Sequence, residues 1–153
     1  MKKIKIGPKE KIHFVGIGGI GMSGLAQVMQ RMGFDVQGSD LSNNKNVERC
    51  RKIRIKVFSR HSKKNLKDAT IIVRSSAIKN NNPEIIAGKK RKIKIFKRGE
   101  MLGHVVSLKK NIVVTGSHGK TTTTSLIAKI LSEAKLDPTI VNGGIVNSLG
   151  GNA

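Results

Sequence analysis

The chain has 153 residues and a formal net charge of +21, with no Trp or Tyr and a single cysteine, Cys50. One cysteine excludes an internal disulfide and suits a reducing compartment, and no apolar run approaches the roughly 20 residues that span a membrane. We therefore expect a cytoplasmic protein without membrane insertion. The four histidines lie too far apart, and too far from Cys50, to predict a zinc cluster.

The large excess of Lys and Arg raises the question of nucleic-acid binding, because clustered cations release counterions from phosphates. The basic residues are spread along the whole chain, and no aromatic residues interleave with them to stack on bases. No nucleic-acid motif is found either. The charge therefore favours a solvated basic surface, and we expect no specific nucleic-acid partner. Composition leaves the oligomeric state open.

Strands alternate with helices along the first part of the chain, which is the pattern of a parallel sheet covered on both faces. The apolar periodicity predicts strands at 11–18, 34–40, 54–58, 69–78 and 92–96, and helices at 19–33, 44–53, from Pro83 onward and at 97–108. Residues 1–108 are therefore expected to form an α/β domain with a Rossmann-like, mostly parallel sheet and helices on both of its faces.

The pattern then restarts over residues 109–153. A strand at 111–115 leads through a glycine loop into a helix, and a further strand follows at 138–142. The apolar side chains of this helix share one face, and they are Leu126, Ile127, Ile130, Leu131 and Ala134. This segment predicts the first strand, phosphate loop, helix and strand of a second α/β domain. It is too short to bury a core of its own.

The first glycine loop has the spacing Gly-x-Gly-x-x-Gly at Gly16, Gly18 and Gly21, between a strand and a helix. In this motif the first glycine permits a tight turn, the second lets the backbone approach a diphosphate, and the third allows close helix–strand packing. The helix N-terminus attracts the diphosphate. Asp40 closes the second strand, where a carboxylate can accept from a ribose or a base. The residues predict a nucleotide diphosphate without deciding which nucleotide, so NAD stays open.

The second glycine loop departs from the strict phosphate-loop pattern, because Val114 stands where the first glycine belongs. The backbone N–H groups from Gly116 to Thr121 can still form an anion nest at a helix N-terminus. Lys120 supplies a mobile cation for β- and γ-phosphates, and Thr121 a hydroxyl for Mg²⁺. The alternative is a threonine-rich helix cap with an exposed lysine.

The shortened loop "TGSHGKTTTT", with "GIGGIGMSGLA" upstream, resembles the Mur ligases of peptidoglycan synthesis. Further stretches match in family order, namely "GSDL", "SSAIKNNNPEI", "RGEML" and "LDPTIVNGGIV", and the resemblance runs from Lys11 to Ala153. It implies an ATP-dependent ligase with UDP-N-acetylmuramate and L-alanine as substrates. In such ligases ATP converts the carboxylate of the UDP-sugar to an acyl phosphate, which the amine of an amino acid then attacks.

The resemblance also implies site residues. A UDP-sugar-binding domain over 1–108 would be followed by the start of an ATP-binding domain over 109–153. The implied ATP-binding residues are Gly116, Ser117, His118, Gly119, Lys120, Thr121 and Thr122, with Lys120 catalytic and Thr121 on Mg²⁺. The implied UDP-sugar residues are Gly18, Gly19, Ile20, Gly21 and Met22 at the diphosphate, and Asp40, His61, Ser75 and Ser76 on the uridine side.

Two features depart from the family pattern. Arg54 and Arg60 stand where relatives usually carry glycine. The acidic Mg²⁺-binding segment, the adenine pocket and the C-terminal domain of relatives lie beyond these residues, so we expect no catalysis from this chain alone. The alternative function is an NAD(P)-binding module of an oxidoreductase, which would explain the first loop and Asp40 but gives Lys120 no role.

Overall fold

A five-stranded parallel sheet forms the centre of the structure, which is a computed structural model describing residues 6–7, 10–142 and 145–148. The strands are β1 (Lys11–Val15), β2 (Asp35–Ser39), β3 (Lys56–Phe58), β4 (Ile71–Arg74) and β5 (Lys94–Lys97). The helices around them are α1 (Ile20–Arg31), α2 (Lys45–Lys52), a short 3-10 helix (Lys63–Leu66), α3 (Pro83–Lys90) and α4 (Arg98–Ser107). The five predicted strands and four predicted helices are thus confirmed, with shorter bounds.

The order of the strands is β3-β2-β1-β4-β5, and all neighbours are parallel. The chain moves outward from β1 to β3, then returns to the centre and moves outward again through β4 and β5. Because parallel crossovers are right-handed, this reversal sends α1 and α2 to one face and the 3-10 helix and α3 to the other. The Rossmann-like sheet with helices on both faces is therefore confirmed. The reversal leaves a crevice beyond the carboxyl ends of β1 and β4, where ligands bind in such sheets.

Two apolar clusters cover the two faces of the sheet. On β1, Ile12 and Phe14 pack into the larger cluster with α1, whereas Val15 belongs to the smaller cluster that includes Ile85 of α3. Each fully buried aliphatic or aromatic side chain of this kind contributes about 1.5–3 kcal/mol. Burial on both faces explains why the central strands read as nearly continuous apolar runs in the sequence.

Helices α1, α2 and α3 each end with one residue in the left-handed conformation. Gly33 follows α1 with φ 89°, but Arg54 follows α2 with φ 66° and Lys92 follows α3 with φ 55°. After Arg54, Ile55 N donates back to Cys50 O at 3.1 Å, which closes the last turn of α2. This conformation favours glycine, so the left-handed φ gives a physical reason for the glycine that the family resemblance leads us to expect at the position of Arg54.

The second part of the chain differs from the prediction at its first strand. Residues 111–115 form no strand, and Ile112 and Val113 are 63% and 73% exposed. A strand needs a neighbour to take its N–H and C=O groups, and no strand of the described residues lies beside this segment. The predicted strand at 111–115 is therefore wrong for this structure.

The predicted helix and final strand of this part are present. Helix α5 runs over Lys120–Glu133, and β6 (Thr139–Asn142) pairs antiparallel with β7 (Ile145–Ser148). The apolar face expected on α5 is largely uncovered: Leu126, Ile130 and Ala134 are exposed, and Ile127 and Leu131 are half-buried. Among all the residues that the structure describes, no helix combines the length and the apolar character needed to cross a membrane.

Candidate functional site

The first glycine loop is a tight turn between the ends of β1, β2 and β4. Gly16 has φ 81°, as the sequence predicts for the first glycine of the motif. Ser39 O, at the end of β2, accepts from Gly16 N at 2.8 Å and from Ile17 N at 3.0 Å. A methyl group on Gly16 would lie 3.1 Å from Ser75 Cβ, so the end of β4 lies directly against the turn.

Asp40 fixes the next part of the turn. Its Oδ2 accepts from Gly18 N at 2.7 Å, and its Oδ1 accepts from the backbone and hydroxyl of Ser42 at 2.9 and 2.7 Å. The missing side chain of Gly18 makes this contact sterically feasible, because a methyl group there would lie 2.8 Å from Asp40 Oδ2. The sequence assigned Gly18 to a diphosphate and Asp40 to a ribose or base. In the structure the two residues bind each other.

The N-terminus of α1 offers backbone donors and no side-chain cap. Gly19 is the N-cap residue, with φ −64° and ψ 144°, and no side-chain cap accepts from the N–H groups of the first turn. The N–H groups of Ile20, Gly21 and Met22 belong to the first turn and have no carbonyl partner within the helix. The Met22 side chain is buried in the core, so only its backbone can face a ligand at this end of the helix.

Arg98 lies against this helix N-terminus, and sequence analysis missed it. A methyl group on Gly21 would lie 2.5 Å from Arg98 Nη1, so Gly21 makes room for this side chain at the start of α4. The motif predicts that the third glycine lets the helix pack closely on a strand, whereas the atoms nearest to a methyl group on Gly21 are those of Arg98. Arg98 is exposed, and within the described residues its guanidinium has no carboxylate partner. A guanidinium at a helix N-terminus adds a full positive charge for an anion.

Ser75 and Ser76 follow β4 at the same edge of the sheet. Ser75 N donates to Val15 O at 3.1 Å, and its hydroxyl accepts from Ala77 N at 3.3 Å. Ser75 is half-buried and Ser76 is exposed in the turn that follows. Both lie near the crevice that the reversed strand order creates, and only Ser75 contacts the glycine turn.

His61 is tied into a buried polar cluster beside the turn. Its Nδ1 lies 2.9 Å from Glu84 Oε2 and 2.9 Å from Ser39 Oγ, and Ser39 Oγ donates to Glu84 Oε2 at 2.6 Å. On the other oxygen, Asn65 Nδ2 donates to Glu84 Oε1 at 2.6 Å. His13 Nε2 approaches Glu84 Oε1 to 3.3 Å, an ionic distance without hydrogen-bond alignment. The cluster brings the predicted His61 together with Glu84, which sequence analysis did not single out.

Glu84 is fully buried, and its carboxylate is held ionised by donors. Burial by itself raises the pKa of Glu84. The close approach of the His13 ring, with hydrogen bonds from Ser39 and Asn65, outweighs the burial and lowers the pKa of Glu84 to about 2. The start of α3 fixes the position of Glu84 in the chain's fold, because this residue lies in the first turn of the helix, directly after the N-cap Asn82 and Pro83. The cluster therefore contains a carboxylate that accepts hydrogen bonds at any physiological pH.

The second glycine loop brings hydrogen-bond donors together at the start of α5. Gly116 and Gly119 have φ 151° and 75°, and Gly119 is an N-cap without a side-chain bond. Lys120 Nζ donates to Gly116 O at 2.6 Å and to Ser117 O at 2.9 Å, so the ammonium folds back over the loop. No acidic residue occupies the first turn of α5. The donor set fits a polyphosphate, since it combines free N–H groups with a cation on a flexible stem.

Metal ligands are few in this loop. Thr121, directly after Lys120, is exposed with its hydroxyl at the first turn of α5. The described residues include no group of three or more His, Cys, Asp or Glu side chains that could hold an ion. A Mg²⁺ ion brought by a nucleotide would thus find the Thr121 hydroxyl as the loop's own ligand, which suits an ion that keeps several waters.

The fold and the two loops define an α/β chain of the Rossmann type with two candidate phosphate sites. Two family models match it: "Mur ligase family, catalytic domain" over residues 11–110 and "Mur ligase middle domain" over residues 114–152. The chain therefore belongs to the Mur ligase family, as the glycine loops predict.

Individual proteins of known name are also similar to this chain. The UDP-N-acetylmuramate--L-alanine ligase of Pelagibacter ubique (strain HTCC1062) is 64% identical over 99% of this chain and 32% of its own length. That of Rhodospirillum rubrum is 53% identical over 98% of this chain and 31% of its own length. The crystal structure of the UDP-N-acetylmuramate-alanine ligase MurC from Thermotoga maritima matches with a TM-score of 0.77 and 36% identity, over 87% of this chain and 31% of that one. The chain spans about a third of the length of these relatives.

Proposed function

We propose that the chain forms the UDP-sugar-binding domain, over 1–108, and the start of the ATP-binding domain, over 109–153, of a ligase that joins L-alanine to UDP-N-acetylmuramate. The observation that carries the proposal is the arrangement at the first glycine loop. An uncapped helix N-terminus and the guanidinium of Arg98 meet beside the crevice between β1 and β4. The 64% identical relative bears the name of such a ligase.

The diphosphate of the UDP-sugar would lie at the N-terminus of α1. The N–H groups of Ile20, Gly21 and Met22 and the helix dipole attract its charge, and Arg98 can donate to its oxygens. Gly18 would shape the turn through Asp40 instead of donating its own N–H, because that N–H is already bound. The uridine side would be formed by His61, Ser75 and Ser76.

The triphosphate of ATP would lie over the second loop, from Gly116 to Thr122. When bound, ATP would supply the phosphoryl group that activates the sugar carboxylate for attack by the amine of L-alanine. Lys120 would exchange its two loop carbonyls for phosphate oxygens and offset the charge that develops during transfer. Thr121 would orient Mg²⁺. The contribution of these residues is positioning and charge neutralisation.

Calorimetric titration of the chain with UDP-N-acetylmuramate, NADH and duplex DNA at moderate salt tests the proposal. We expect binding of the UDP-sugar, which UDP displaces, and no saturable binding of the other two. Saturable NADH binding without UDP-sugar binding would favour the oxidoreductase module. Salt-sensitive binding of DNA alone would assign the charge of +21 to nucleic acid instead.

A further inference from the structure

We propose that Glu84 is a positioning residue that fixes the ring tautomer of His61, so that His61 Nε2 meets the nucleoside as a hydrogen-bond acceptor. The inference rests on the proposed function, since that proposal puts His61 on the uridine side. It goes beyond the proposed function in assigning a role to a buried residue of α3 and a direction to the hydrogen bond that His61 makes.

The carbonyl of Asn65 determines which atoms donate and which accept around His13 and Gln37. Asn65 O can only accept, so the atom of Gln37 that lies 2.7 Å from it is the amide nitrogen Nε2. The same Nε2 lies 3.1 Å from His13 Nδ1, which must accept and therefore carries no proton. The proton of His13 is then on Nε2, 3.3 Å from Glu84 Oε1. His13 is thus neutral, with its N–H on the side of the ring that faces Glu84.

The other oxygen of Glu84 determines the tautomer of His61. Oε2 accepts from Ser39 Oγ at 2.6 Å and lies 2.9 Å from His61 Nδ1. An ionised carboxylate has no proton to donate, so His61 Nδ1 carries the proton in this pair. In the neutral ring, Nε2 then has a free lone pair. Within the described part of the chain no hydrogen bond reaches this nitrogen.

Ser39 connects this ring to the candidate nucleotide site. Its carbonyl accepts from the amides of the glycine turn, and its hydroxyl contacts both His61 and Glu84. The side chain of His61 is 11% exposed, and Nε2 is not among the fully buried polar atoms that lack a partner in the described residues, so it keeps access to the surface while Nδ1 is anchored inside. Uracil offers a single donor on its base edge, N3–H, and a hydrogen-bond acceptor such as His61 Nε2 is the partner that this donor requires.

The substitution Glu84→Gln tests the inference with almost no change in shape. The amide oxygen belongs at the position of Oε1, because the donors His13 and Asn65 face it. The NH₂ group then faces His61 Nδ1, which must accept, and the ring proton moves to Nε2. Long-range ¹H–¹⁵N spectra should show His61 protonated at Nδ1 in the parent chain and at Nε2 in the variant. Calorimetry should show about tenfold to hundredfold weaker binding of UDP-N-acetylmuramate, because a donor replaces the acceptor.

The matched control is Ile85→Val on the same helix. Ile85 is fully buried in the smaller apolar cluster, so this change lowers stability but should leave the His61 tautomer and the affinity unchanged. A parent chain with its His61 proton on Nε2 would overturn the inference, even if Glu84→Gln does not fold. Unchanged or tighter binding by a variant with the inverted tautomer would overturn it as well. A parent chain that keeps the Nδ1 proton but binds no UDP-sugar would instead refute the proposed function.

Discussion

The acid stability of the chain should depend on Glu84. The perturbation is again Glu84→Gln, now compared with the parent chain by urea unfolding from pH 7 down to pH 3. The pKa of Glu84 falls from 4.5 to about 2 on folding, and the side chain is fully buried. A lowered carboxyl pKa contributes stability that is present above pH 4.5 and is lost as the pH falls toward 2.

The magnitude follows from the two pKa values. A difference of about 2.5 units corresponds to about 3 kcal/mol at neutral pH, of which about 2 kcal/mol is lost by pH 3. We treat about 3 kcal/mol as an upper value, because Gln37 holds His13 neutral and a neutral ring attracts the carboxylate less than an imidazolium does. The free energies of unfolding of the parent chain and of Glu84→Gln should therefore converge as the pH falls.

The control is Glu48→Gln, at an exposed position of α2. Its free energy of unfolding should stay within about 0.5 kcal/mol of the parent value across the same pH range. If the parent chain and Glu84→Gln lose stability in parallel between pH 7 and pH 3, folding does not lower the pKa of Glu84, and the set of donors assigned to its carboxylate is wrong.

Three further predictions concern the loops and one helix end. Gly19→Ser adds a side-chain cap to α1 that competes with a ligand for the first-turn N–H groups. The thermal stability should therefore stay the same or rise, while UDP-N-acetylmuramate should bind roughly tenfold more weakly. Unchanged affinity would mean that the diphosphate does not bind at this helix N-terminus. In a chimera of this chain with the downstream part of the Pelagibacter ubique relative, Lys120→Ala should lower the rate of phosphate release roughly 10²–10³-fold without changing the affinity for the UDP-sugar. The control Lys129→Ala, at an exposed position of α5, should change neither the rate nor the affinity. If the Lys120→Ala chimera keeps its turnover, Lys120 is part of a helix cap and does not act on ATP. Arg54→Gly should raise the free energy of unfolding by about 0.5–1 kcal/mol, because φ 66° strains any residue with a side chain, and a decrease in urea stability would contradict this.

The parallel sheet could be predicted from the sequence because its strands are buried on both faces. Residues 69–74 read as an apolar run, and Ile71, Ile72 and Val73 are in fact buried alternately in the two clusters. The same reasoning failed at 111–115. That segment is equally apolar, but a strand exists only where a neighbour completes its hydrogen bonds, and local sequence does not contain that information.

Residue spacing alone predicts the candidate site only where its residues are close together in the sequence, whereas His61, Ser75 and Ser76 were expected from the family resemblance. The spacing of the glycines identifies both loops, and the structure confirms the tight turn at Gly16. Arg98 and Glu84 were missed because they reach the first loop through the strand order and not through any spacing in the sequence. Asp40 was located correctly, but its bond to Gly18 N depends on the loop conformation, which no motif specifies.

The buried charge of Glu84 is better explained by orientation than by stability. Replacing a whole buried ion cluster with apolar residues of similar volume is often neutral or stabilising, so a fold gains little by retaining one. Here the cluster occupies the edge of the sheet where the glycine turn is also held, and both depend on Ser39. An ionised carboxylate can only accept, and this property puts the proton of His61 on Nδ1, whereas Gln37 fixes the tautomer of His13. The burial of Glu84 thus gives Ser39 and His61, beside the crevice between β1 and β4, one defined direction for their hydrogen bonds.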